Sequence, residues 1–348
     1  MRIVGGTLRG RKLNTFKGND IRPTADNVRE SLFNILGEKT KNSRFLDLFC
    51  GTGAVGIEAL SRGAKSVTFN DLNKESVSLT ERNLHSLGVS GRLSQNDGVS
   101  FLENTSEKFD IVYIDPPYKS GVKVPALNKV SGVLESGGIA ILEDESPFIG
   151  TADGLILTDV RKYGRVYLNF FEKKEDGAAV FAGTFDPVTE GHFAAVNKAV
   201  RAFGKVFAVL GVNPEKTPFF TREERKEFLA ETFKDVKEVE ILDFTDFKDI
   251  EEYAKHLKDV GVKYYVRGIR DEKDFIYEKK AERKNLALYD GVKTAYILCG
   301  KEFSGVSASK VKKNMLSGKE YKSFLPQSAK ETIARAFENK GKTTGEEG

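Results

Sequence analysis

The chain has 348 residues, of which 39% are hydrophobic and 30% are charged, and its formal net charge is +4. This length exceeds what one hydrophobic core usually supports, so two domains of about 170 residues each are expected. Two cysteines, Cys50 and Cys299, are too few for a disulfide framework or a cysteine-rich zinc site. No stretch approaches the roughly 18 apolar residues that span a bilayer, and the N-terminus lacks a signal-peptide core. A cytoplasmic protein with no membrane partner is predicted.

The first 46 residues are unusually basic. They carry ten basic residues against four acidic ones, Asp20, Asp26, Glu30 and Glu38. The basic residues are Arg2, Arg9, Arg11, Lys12, Lys17, Arg22, Arg29, Lys39, Lys41 and Arg44. Such an excess of positive charge suits an arm that contacts nucleic-acid phosphates. From the charge alone, a solvated basic face is the slightly favoured interpretation.

The first half of the chain alternates apolar strands with helical segments, which is typical of a parallel α/β sheet. Strands are predicted near residues 45 to 49, 66 to 70, 110 to 114 and 138 to 142. In KESVSLTERNLHSLG, one helical face carries Val77, Thr80, Leu84 and Leu87, and Gly88 ends the helix. Two further strands, LILTDV and RVYLNFFEKK, form an antiparallel hairpin with a turn at residues 162 to 164. The first domain is therefore predicted over residues 1 to 173.

The second half repeats this alternation after a polar linker at residues 174 to 177. Strands are predicted near residues 178 to 182, 205 to 211, 238 to 242, 263 to 266 and 292 to 298. Thr221 and Glu224 have the spacing of a capping box at a helix start. The second domain is predicted over residues 178 to 338, and the Gly-rich, polar residues 339 to 348 are predicted to be disordered. The fold class is thus α/β, with two doubly wound domains in tandem.

A glycine-rich turn follows the first strand. In CGTGAVGIEAL, Gly51 and Gly53 lack the Cβ atoms that would keep a ligand away from the backbone. Asp71 ends the next strand about 20 residues later, where a carboxylate can accept hydrogen bonds from ribose hydroxyls. Asp97 is expected to border an adenine ring. No phosphate-binding lysine accompanies the glycines, which favours a nucleoside-like ligand, although each aspartate alone also fits a solvated turn.

The tetrapeptide Asp115-Pro116-Pro117-Tyr118 follows the fourth core strand. In doubly wound sheets the ligand crevice lies at the carboxyl ends of the strands, so this tetrapeptide should face the same crevice as the glycines. The Asp115 carboxylate and the Pro116 carbonyl can accept the two hydrogens of an exocyclic amine, and Tyr118 can stack on its base. The pattern predicts methyl transfer to an amine, whereas a Pro-Pro turn alone can be purely structural.

These motifs resemble the bacterial 16S rRNA (guanine-N2)-methyltransferases over residues 1 to about 173. The resemblance runs through MRIVGGTLRGRKL, IRPTADNVRESLFNIL, FLDLFCGTGAVGIEALSRGA and DPPY. It implies a methyltransferase fold that binds S-adenosylmethionine through Asp47, Gly51, Gly53, Asp71 and Asp97. It also implies that residues 115 to 118 position a guanine amine of ribosomal RNA or of a small-subunit particle. Arg22 and Thr24 would lie beside cofactor and RNA, which favours RNA contact by the basic arm, and Thr24 could also cap a helix.

A second chemical motif, GTFDPVTEGH, follows the first strand of the second half. Gly191 lets phosphate approach the backbone, and His192 lies in the first helical turn, where free amides and the helix dipole favour anions. His192 can donate to a phosphoryl oxygen as charge develops there. Lys216, Arg267 and Arg270 follow other strands and would complete an anion clamp, with surface salt bridges as the alternative. The motif is the signature of nucleotidyltransferases.

Residues 178 to about 338 resemble phosphopantetheine adenylyltransferase, in GTFDPVTEGH, NPEKTPFFTREER, VRGIRDEKDFIYE and FLP. The resemblance implies a Rossmann-like fold, Mg²⁺ use and a hexamer. It assigns Thr184, Lys216 and Arg267 to the phosphate of 4'-phosphopantetheine. It assigns ATP to Phe185, His192, Gly268, Ile269, Arg270, Glu278 and the loop Phe303, Ser304, Gly305, Val306, Ser307, Ala308 and Ser309. Ala308 departs from the family, which usually has a hydroxyl there. In-line attack on ATP with Lys216, Arg267 and His192 offsetting charge would give dephospho-coenzyme A and pyrophosphate.

Other functions remain open at this point. The first domain could be an RNA-binding module without catalysis, or it could methylate adenine in DNA, because DPPY positions any exocyclic amine. The second domain could adenylylate nicotinamide mononucleotide instead.

Overall fold

The computed structural model describes residues 1–16, 26–117, 121–148, 152–212, 217–269, 274–275, 278, 291–299, 303 and 305–343. The chain divides into two compact units, Met1–Lys174 and Glu175–Gly348. Each unit has its own β-sheet. None of the helices in these residues is long and apolar enough to cross a membrane.

The described residues of the first unit form a seven-stranded sheet and five α-helices. Its strands are β1 Arg44–Asp47, β2 Ser66–Asn70, β3 Arg92–Ser94, β4 Phe109–Ile114, β5 Leu134–Asp144, β6 Leu155–Tyr163 and β7 Val166–Lys173. Its helices are α1 Asp26–Leu36, α2 Ala54–Ser61, α3 Lys74–Leu87, α4 Gly98–Asn104 and α5 Lys123–Val133. A 3-10 turn, Gly37–Thr40, follows α1.

The strand order of this sheet is β3-β2-β1-β4-β5-β7-β6. Strands β1 to β5 are parallel, and β7 runs antiparallel to both β5 and β6. The predicted α/β sheet and its closing hairpin are confirmed. The predicted turn is displaced, because Tyr163 still pairs with Val166 and the reversal therefore lies at Gly164 and Arg165. The short strand β3 escaped prediction because three partly exposed residues carry no apolar pattern.

Helix α3 shows how local sequence sets an element's limits. Asn73 caps its start by accepting a hydrogen bond from the Glu75 amide at 2.8 Å. Gly88 ends it in the left-handed conformation with φ of 70°, as predicted. The inner face buries the predicted residues Thr80, Leu84 and Leu87 together with Ser76, Leu79 and Asn83, and leaves Val77 half-buried. The amphipathic pattern located the face, but it did not reveal the polar residues within it.

The basic N-terminus forms a docked hairpin over residues 1–14, here called the N-terminal hairpin. Arg2 and Lys12 form an antiparallel bridge, and the Ile3 amide donates to the Arg11 carbonyl at 3.0 Å. Ile3 and Leu13 are buried in the main core. On α2, Glu58 accepts from the Val4 amide at 2.8 Å and the Ser61 hydroxyl accepts from the Leu8 amide at 2.9 Å. The hairpin is therefore a built part of the first unit.

The second unit contains a five-stranded parallel sheet in the order β10-β9-β8-β11-β12. The strands are β8 Ala178–Gly183, β9 Val206–Leu210, β10 Val239–Asp243, β11 Val262–Ile269 and β12 Lys293–Leu298. The helices are α6 Glu190–Phe203, α7 Arg222–Phe233, α8 Ile250–Asp259, α9 Ala308–Leu316 and α10 Lys330–Thr343. Each of the five strands lies where the sequence predicts one.

Two predictions about helix ends in this unit have different outcomes. The capping box of α7 is confirmed, because the Thr221 hydroxyl accepts from the Glu224 amide at 3.2 Å and the Glu224 carboxylate accepts from the Thr221 amide at 2.6 Å. Disorder from residue 339 onward is wrong for residues 339 to 343, because α10 continues to Thr343. The reason is that a helix already anchored by buried Ile333 and Ala334 can extend through polar residues.

Candidate active sites

In the first unit the predicted site residues follow four adjacent parallel strands. The turn Cys50–Gly53, here called the glycine turn, follows β1, and Asp71 follows β2. Asp97 follows β3 and Asp115 follows β4. Because the chain moves from β1 to β2 on one side and returns to β4 on the other, the sheet has its switch point between β1 and β4. Ligand crevices of doubly wound sheets open at this point.

The two glycines of the glycine turn have different structural roles. Both lie in the left-handed region, Gly51 with φ of 52° and Gly53 with φ of 75°. A Cβ atom on Gly53 would lie 2.6 Å from Thr80 Cγ2, so this glycine is required by packing against α3. A Cβ atom on Gly51 would meet nothing within 4 Å. The backbone at Gly51 is therefore the part of the turn that a ligand can approach.

Asp71 and Asp97 are both held by backbone amides. Asp71 accepts from the Gly51 amide through Oδ2 at 2.9 Å and from the Asn73 amide through Oδ1 at 2.8 Å. Asp97 caps α4, accepting from the Val99 and Ser100 amides at 3.0 Å each. Both side chains are half-buried, so the hydrogen bonds fix carboxylates that still reach the crevice surface.

Asp47, which was predicted to contact the ligand, is buried and hydrogen-bonded to the backbone of α2. Its side chain is 2% exposed and accepts from the Gly56 amide, the third residue of α2, at 2.9 Å. The pKa of Asp47 is raised to about 7, because burial and, to a smaller extent, the nearby charge of Asp71 outweigh the lowering effect of the Gly56 hydrogen bond. Asp47 thus supports the helix that follows the glycine turn.

The described part of the DPPY tetrapeptide ends at Pro117. Asp115 is half-buried, Pro116 is buried and Pro117 is exposed. On the strand that leads to them, the Tyr113 hydroxyl donates to the buried carboxylate of Glu143 on the neighbouring strand β5. The sequence did not single out this pair. Tyr118, Arg22 and Thr24 lie outside the described residues.

In the second unit a cavity of about 250 Å³ opens at the carboxyl ends of β8 and β11. It brings together eight residues that the sequence assigned to nucleotide or phosphate: Gly191, His192, Arg267, Gly268, Glu278, Val306, Ser307 and Ala308. Thr189, Tyr265, Asp274 and Cys299 also line it and were not predicted. Lys216, Arg270 and Ser304 are outside the described part of the chain.

His192 is the third residue of α6 and completes a capping box with Thr189. The Thr189 amide donates to His192 Nδ1 at 3.1 Å. Since a backbone amide can only donate, Nδ1 must accept, and the neutral ring carries its hydrogen on Nε2. The helix start thus sets the histidine tautomer and leaves an N–H donor on the other ring nitrogen. The T-x-x-H spacing in the sequence is the signal that could have revealed this pairing.

Two helices begin at this cavity. Gly191 and His192 belong to the first turn of α6, and Ala308 begins α9 after its cap, Ser307. The Ser307 hydroxyl accepts from the Lys310 amide at 3.2 Å. Free amides and helix dipoles at both starts favour an anion in the space between them. Ala308 contributes no hydroxyl, but it is the first residue of the helix, so its backbone amide can serve as a hydrogen-bond donor to an anion.

Arg267 brings a buried cation to the same cavity. Its side chain is 9% exposed, pairs with the Glu278 carboxylate and lies over the Tyr265 ring at 4.8 Å. Its Nε and Nη2 atoms are buried and have no hydrogen-bond partner within the part of the chain that the structure describes. Buried N–H groups without partners are costly, so they are well suited to an anionic ligand.

The other predicted ligand contacts lie outside this cavity. Phe185 and Ile269 are each 1% exposed, and the Phe185 ring packs edge-on against His192 at 5.1 Å. Phe303 accepts from the Val306 amide and shapes the loop before α9, where Gly305 is exposed. Apolar character and motif position alone do not predict that Phe185 and Ile269 are buried, and the contacts of these residues with ATP stay predictions.

A second cavity, of about 310 Å³, adjoins the first at Ala308. Thr184 and Ser309 line it together with three cations that the sequence did not single out, Arg222, Arg225 and Lys312. Asp186 also lines it and pairs with Lys312 at 2.6 Å. Although burial opposes the change, hydrogen bonds from Lys312 and from the Phe219 and Phe220 amides hold the pKa of Asp186 below its usual value.

Comparisons with known proteins divide the chain in the same way. Residues 1–172 match the family described as Conserved hypothetical protein 95, and residues 180–314 match the family described as Cytidylyltransferase-like. The chain is 38% identical over 133 residues to Ribosomal RNA small subunit methyltransferase D of Haemophilus influenzae, covering 37% of this chain and 69% of that protein. The Escherichia coli K12 protein of that name is 35% identical over 148 residues, covering 42% and 75%. Phosphopantetheine adenylyltransferase of Streptococcus agalactiae NEM316 is 33% identical over 160 residues, covering 46% and 97%.

The raised pKa of Asp47 predicts a pH-dependent stability. A folded-state pKa of about 7 lies above the unfolded value, so this carboxyl stabilises the fold at acidic pH and loses that contribution as pH rises toward 7. Asp47→Asn keeps an oxygen for the Gly56 amide and cannot ionise. It should gain stability relative to the natural chain between pH 5 and pH 8, by about 3 kcal/mol at most. Calorimetric melting of both chains at the two pH values measures this gain.

Asp47→Ala is the matched control, because it removes the Gly56 hydrogen bond and should destabilise the first unit at both pH values. An identical difference between the Asn variant and the natural chain at pH 5 and pH 8 would show that Asp47 titrates normally.

Proposed function

Because the first half of the chain belongs to the Conserved hypothetical protein 95 family and the second half to the cytidylyltransferase-like family, we propose that the protein is a bifunctional transferase. The first unit methylates the exocyclic N2 of a guanine in 16S ribosomal RNA. The second unit transfers adenylyl from ATP to 4'-phosphopantetheine, which gives dephospho-coenzyme A and pyrophosphate. The observation that carries the proposal is that Asp71, Asp97 and Asp115 follow neighbouring parallel strands in the first unit, and that His192 and Arg267 line one cavity in the second.

The crevice of the first unit fits a nucleoside-containing methyl donor. The open face of Gly51 allows close approach, and the fixed carboxylates of Asp71 and Asp97 offer acceptors for ribose and adenine groups. S-adenosylmethionine, when bound, supplies a methyl group activated by its positive sulfur. Asp47 contributes by holding the start of α2 rather than by direct contact.

Asp115 and Pro116 are proposed to orient the target amine. The Asp115 carboxylate and the Pro116 carbonyl accept its two hydrogens, which turns the nitrogen lone pair toward the methyl donor. Two consecutive prolines restrict the backbone of this segment, so the acceptors keep their geometry without the substrate. The small-subunit relatives support ribosomal RNA as the source of the guanine.

The N-terminal hairpin is proposed to contact RNA phosphates. Arg9, Arg11 and Lys12 are exposed on it, and its anchoring to α2 holds these charges in place. Phosphate contacts of this kind position a nucleic acid without reading its sequence.

In the second unit the first cavity is proposed to hold the ATP phosphates and the second the phosphopantetheine phosphate. Arg267, which the resemblance assigns to the phosphopantetheine phosphate together with Thr184, lines the first cavity, so its N–H groups and the starts of α6 and α9 are proposed as donors to the nucleotide. Thr184 lies in the second cavity beside Arg222, Arg225 and Lys312. The two cavities meet at Ala308, so the phosphate of phosphopantetheine would lie next to the phosphates of ATP. His192 donates from Nε2 to a phosphoryl oxygen as charge grows there. The acceptor phosphate is already ionised, so no general base is required.

Mg²⁺ is proposed to arrive with the nucleotide. Within the described ranges no group of three or more His, Cys, Asp or Glu side chains could hold a metal ion. Mg²⁺ commonly keeps several waters and binds largely through substrate phosphates.

Asp115→Ala should reduce methylation of small-subunit RNA or particles by at least about 100-fold, because the amine loses its charged acceptor. Asp115 belongs to the first unit, so adenylyl transfer by the same preparation should be unchanged and serves as the internal control. Methyl transfer from radiolabelled S-adenosylmethionine measures the effect. Methylation at the natural rate would contradict the role given to Asp115.

His192→Gln separates catalysis from helix capping. Glutamine at the third helical position also completes a capping box, so thermal stability should stay close to that of the natural chain. Dephospho-coenzyme A formation should nevertheless fall by at least about 100-fold, since the imidazole Nε2–H is lost and a glutamine whose oxygen caps the helix does not present its own N–H group at that position, while ATP still binds. Steady-state kinetics, ATP titration and melting of one preparation test this. Normal turnover in a stable variant would leave His192 a capping residue.

Replacing Arg9, Arg11 and Lys12 with Ala should weaken RNA binding and lower the salt dependence of its affinity, with a slope about 2 smaller. Affinity for S-adenosylhomocysteine should change little. The control removes the same charge from the second unit, by replacing the exposed Lys234, Lys237 and Lys258 with Ala. RNA titrations at several salt concentrations measure both slopes. Equal slopes for the hairpin variant and the control would show that the hairpin is only a solvated surface.

A further inference from the structure

One buried side chain connects the N-terminal hairpin to the glycine turn. Asn83 on α3 is 0% exposed. Its Oδ1 accepts from the backbone amide of Asn14 at 2.8 Å and from Asn14 Nδ2 at 3.0 Å. Its Nδ2 donates to the Asn14 carbonyl at 3.1 Å and to the Thr52 carbonyl at 2.9 Å. A single amide therefore contacts the end of the basic hairpin and the turn of the proposed cofactor site.

Only a carboxamide can make this set of bonds. The oxygen faces two N–H donors and the nitrogen faces two carbonyls, so the amide has one orientation that satisfies all four partners. An aspartate at position 83 would place a carboxylate oxygen against the carbonyls of Asn14 and Thr52. Because the Asn83 side chain is buried, its own polar atoms cannot exchange a lost partner for bulk water, and the positions of the two segments depend on each other.

Further hydrogen bonds connect the N-terminal hairpin and the glycine turn to the same helices. The Thr80 hydroxyl, one turn before Asn83, donates to the Gly51 carbonyl at 3.2 Å, so α3 holds two consecutive carbonyls of the glycine turn. On the other side of the turn, α2 begins at Ala54 and carries the hairpin anchors Glu58 and Ser61. The hairpin is thus attached to both helices that flank the glycine turn.

We propose that Asn83 is a positioning residue that couples occupation of the glycine turn to the placement of the hairpin, so that the S-adenosyl ligand and RNA bind cooperatively. The proposal rests on the function given above to the first unit. A ligand on Gly51 restricts the backbone of the turn, the Thr52 carbonyl then fixes the Asn83 amide, and the amide fixes Asn14. Binding of RNA to the hairpin has the reciprocal effect on the ligand, as linkage requires.

The first test uses hydrogen exchange in the unaltered full-length chain. S-adenosylhomocysteine should slow exchange at amides of residues 3 to 14 as well as at the glycine turn. In Asn83→Asp the protection of the turn should persist at higher ligand concentration, while that of the hairpin is lost. Protection confined to the turn in the natural chain would overturn the proposal. Since this arm needs neither RNA nor a variant, it decides the question even if Asn83→Asp fails to fold.

The second test measures the coupling itself. The affinity of the natural chain for 16S ribosomal RNA transcribed in vitro should rise by at least about 5-fold at saturating S-adenosylhomocysteine. In Asn83→Asp this factor should fall close to one. The control is Asn104→Asp, the same chemical change at an exposed position on α4, which should keep the natural factor. A purely structural role would lower affinities or stability without changing the factor.

The outcomes distinguish this proposal from the function on which it rests. If both ligands bind the natural chain and the factor is one, or if Asn83→Asp keeps the natural factor, the coupling is wrong and the function stands. If neither S-adenosylhomocysteine nor RNA binds the natural chain, the proposed function fails and the coupling fails with it.

Discussion

Both candidate sites depend on the parallel direction of their strands, which brings the carboxyl ends of neighbouring strands to one edge of a sheet. In the first unit this edge carries Asp71, Asp97 and Asp115 after three strands, and in the second it carries Arg267 and the cations near Thr184. The same geometry thus presents carboxylates in one unit and cations in the other. Under the proposed function, the carboxylates suit a positively charged methyl donor with ribose hydroxyls, and the cations suit a polyphosphate.

The residues that shape these edges are largely helix caps. Asp47 supports the start of α2, Asp97 caps α4, and Thr189 and Ser307 cap the two helices that begin at the first cavity of the second unit. Each cap satisfies amides that would otherwise lack partners, and it fixes the backbone that leads into the site. His192 both completes a helix cap and presents an N–H donor, because the hydrogen bond from the Thr189 amide to Nδ1 leaves the ring hydrogen on Nε2.

The sequence predicted the elements whose signals are local. Eleven of the twelve described strands, the glycine turns and the caps at Thr221 and Gly88 follow from apolar alternation and from residue types with restricted roles. Burial direction is not local, so Asp47, Phe185 and Ile269 were expected to contact ligands although the structure buries them. Asn83 escaped notice for the same reason. Its partners Asn14 and Thr52 are distant in sequence, and only the fold brings them to one amide.

The division of the chain between Lys174 and Glu175 leaves each sheet with its own set of strands. Under the proposed function, every round of translation then yields one RNA-modifying unit and one coenzyme-forming unit in equal number. A cell with this fused gene cannot adjust the two enzymes separately through transcription or messenger decay. Selection on their relative output would have to act on turnover number or ligand affinity, and so on the side chains of each site.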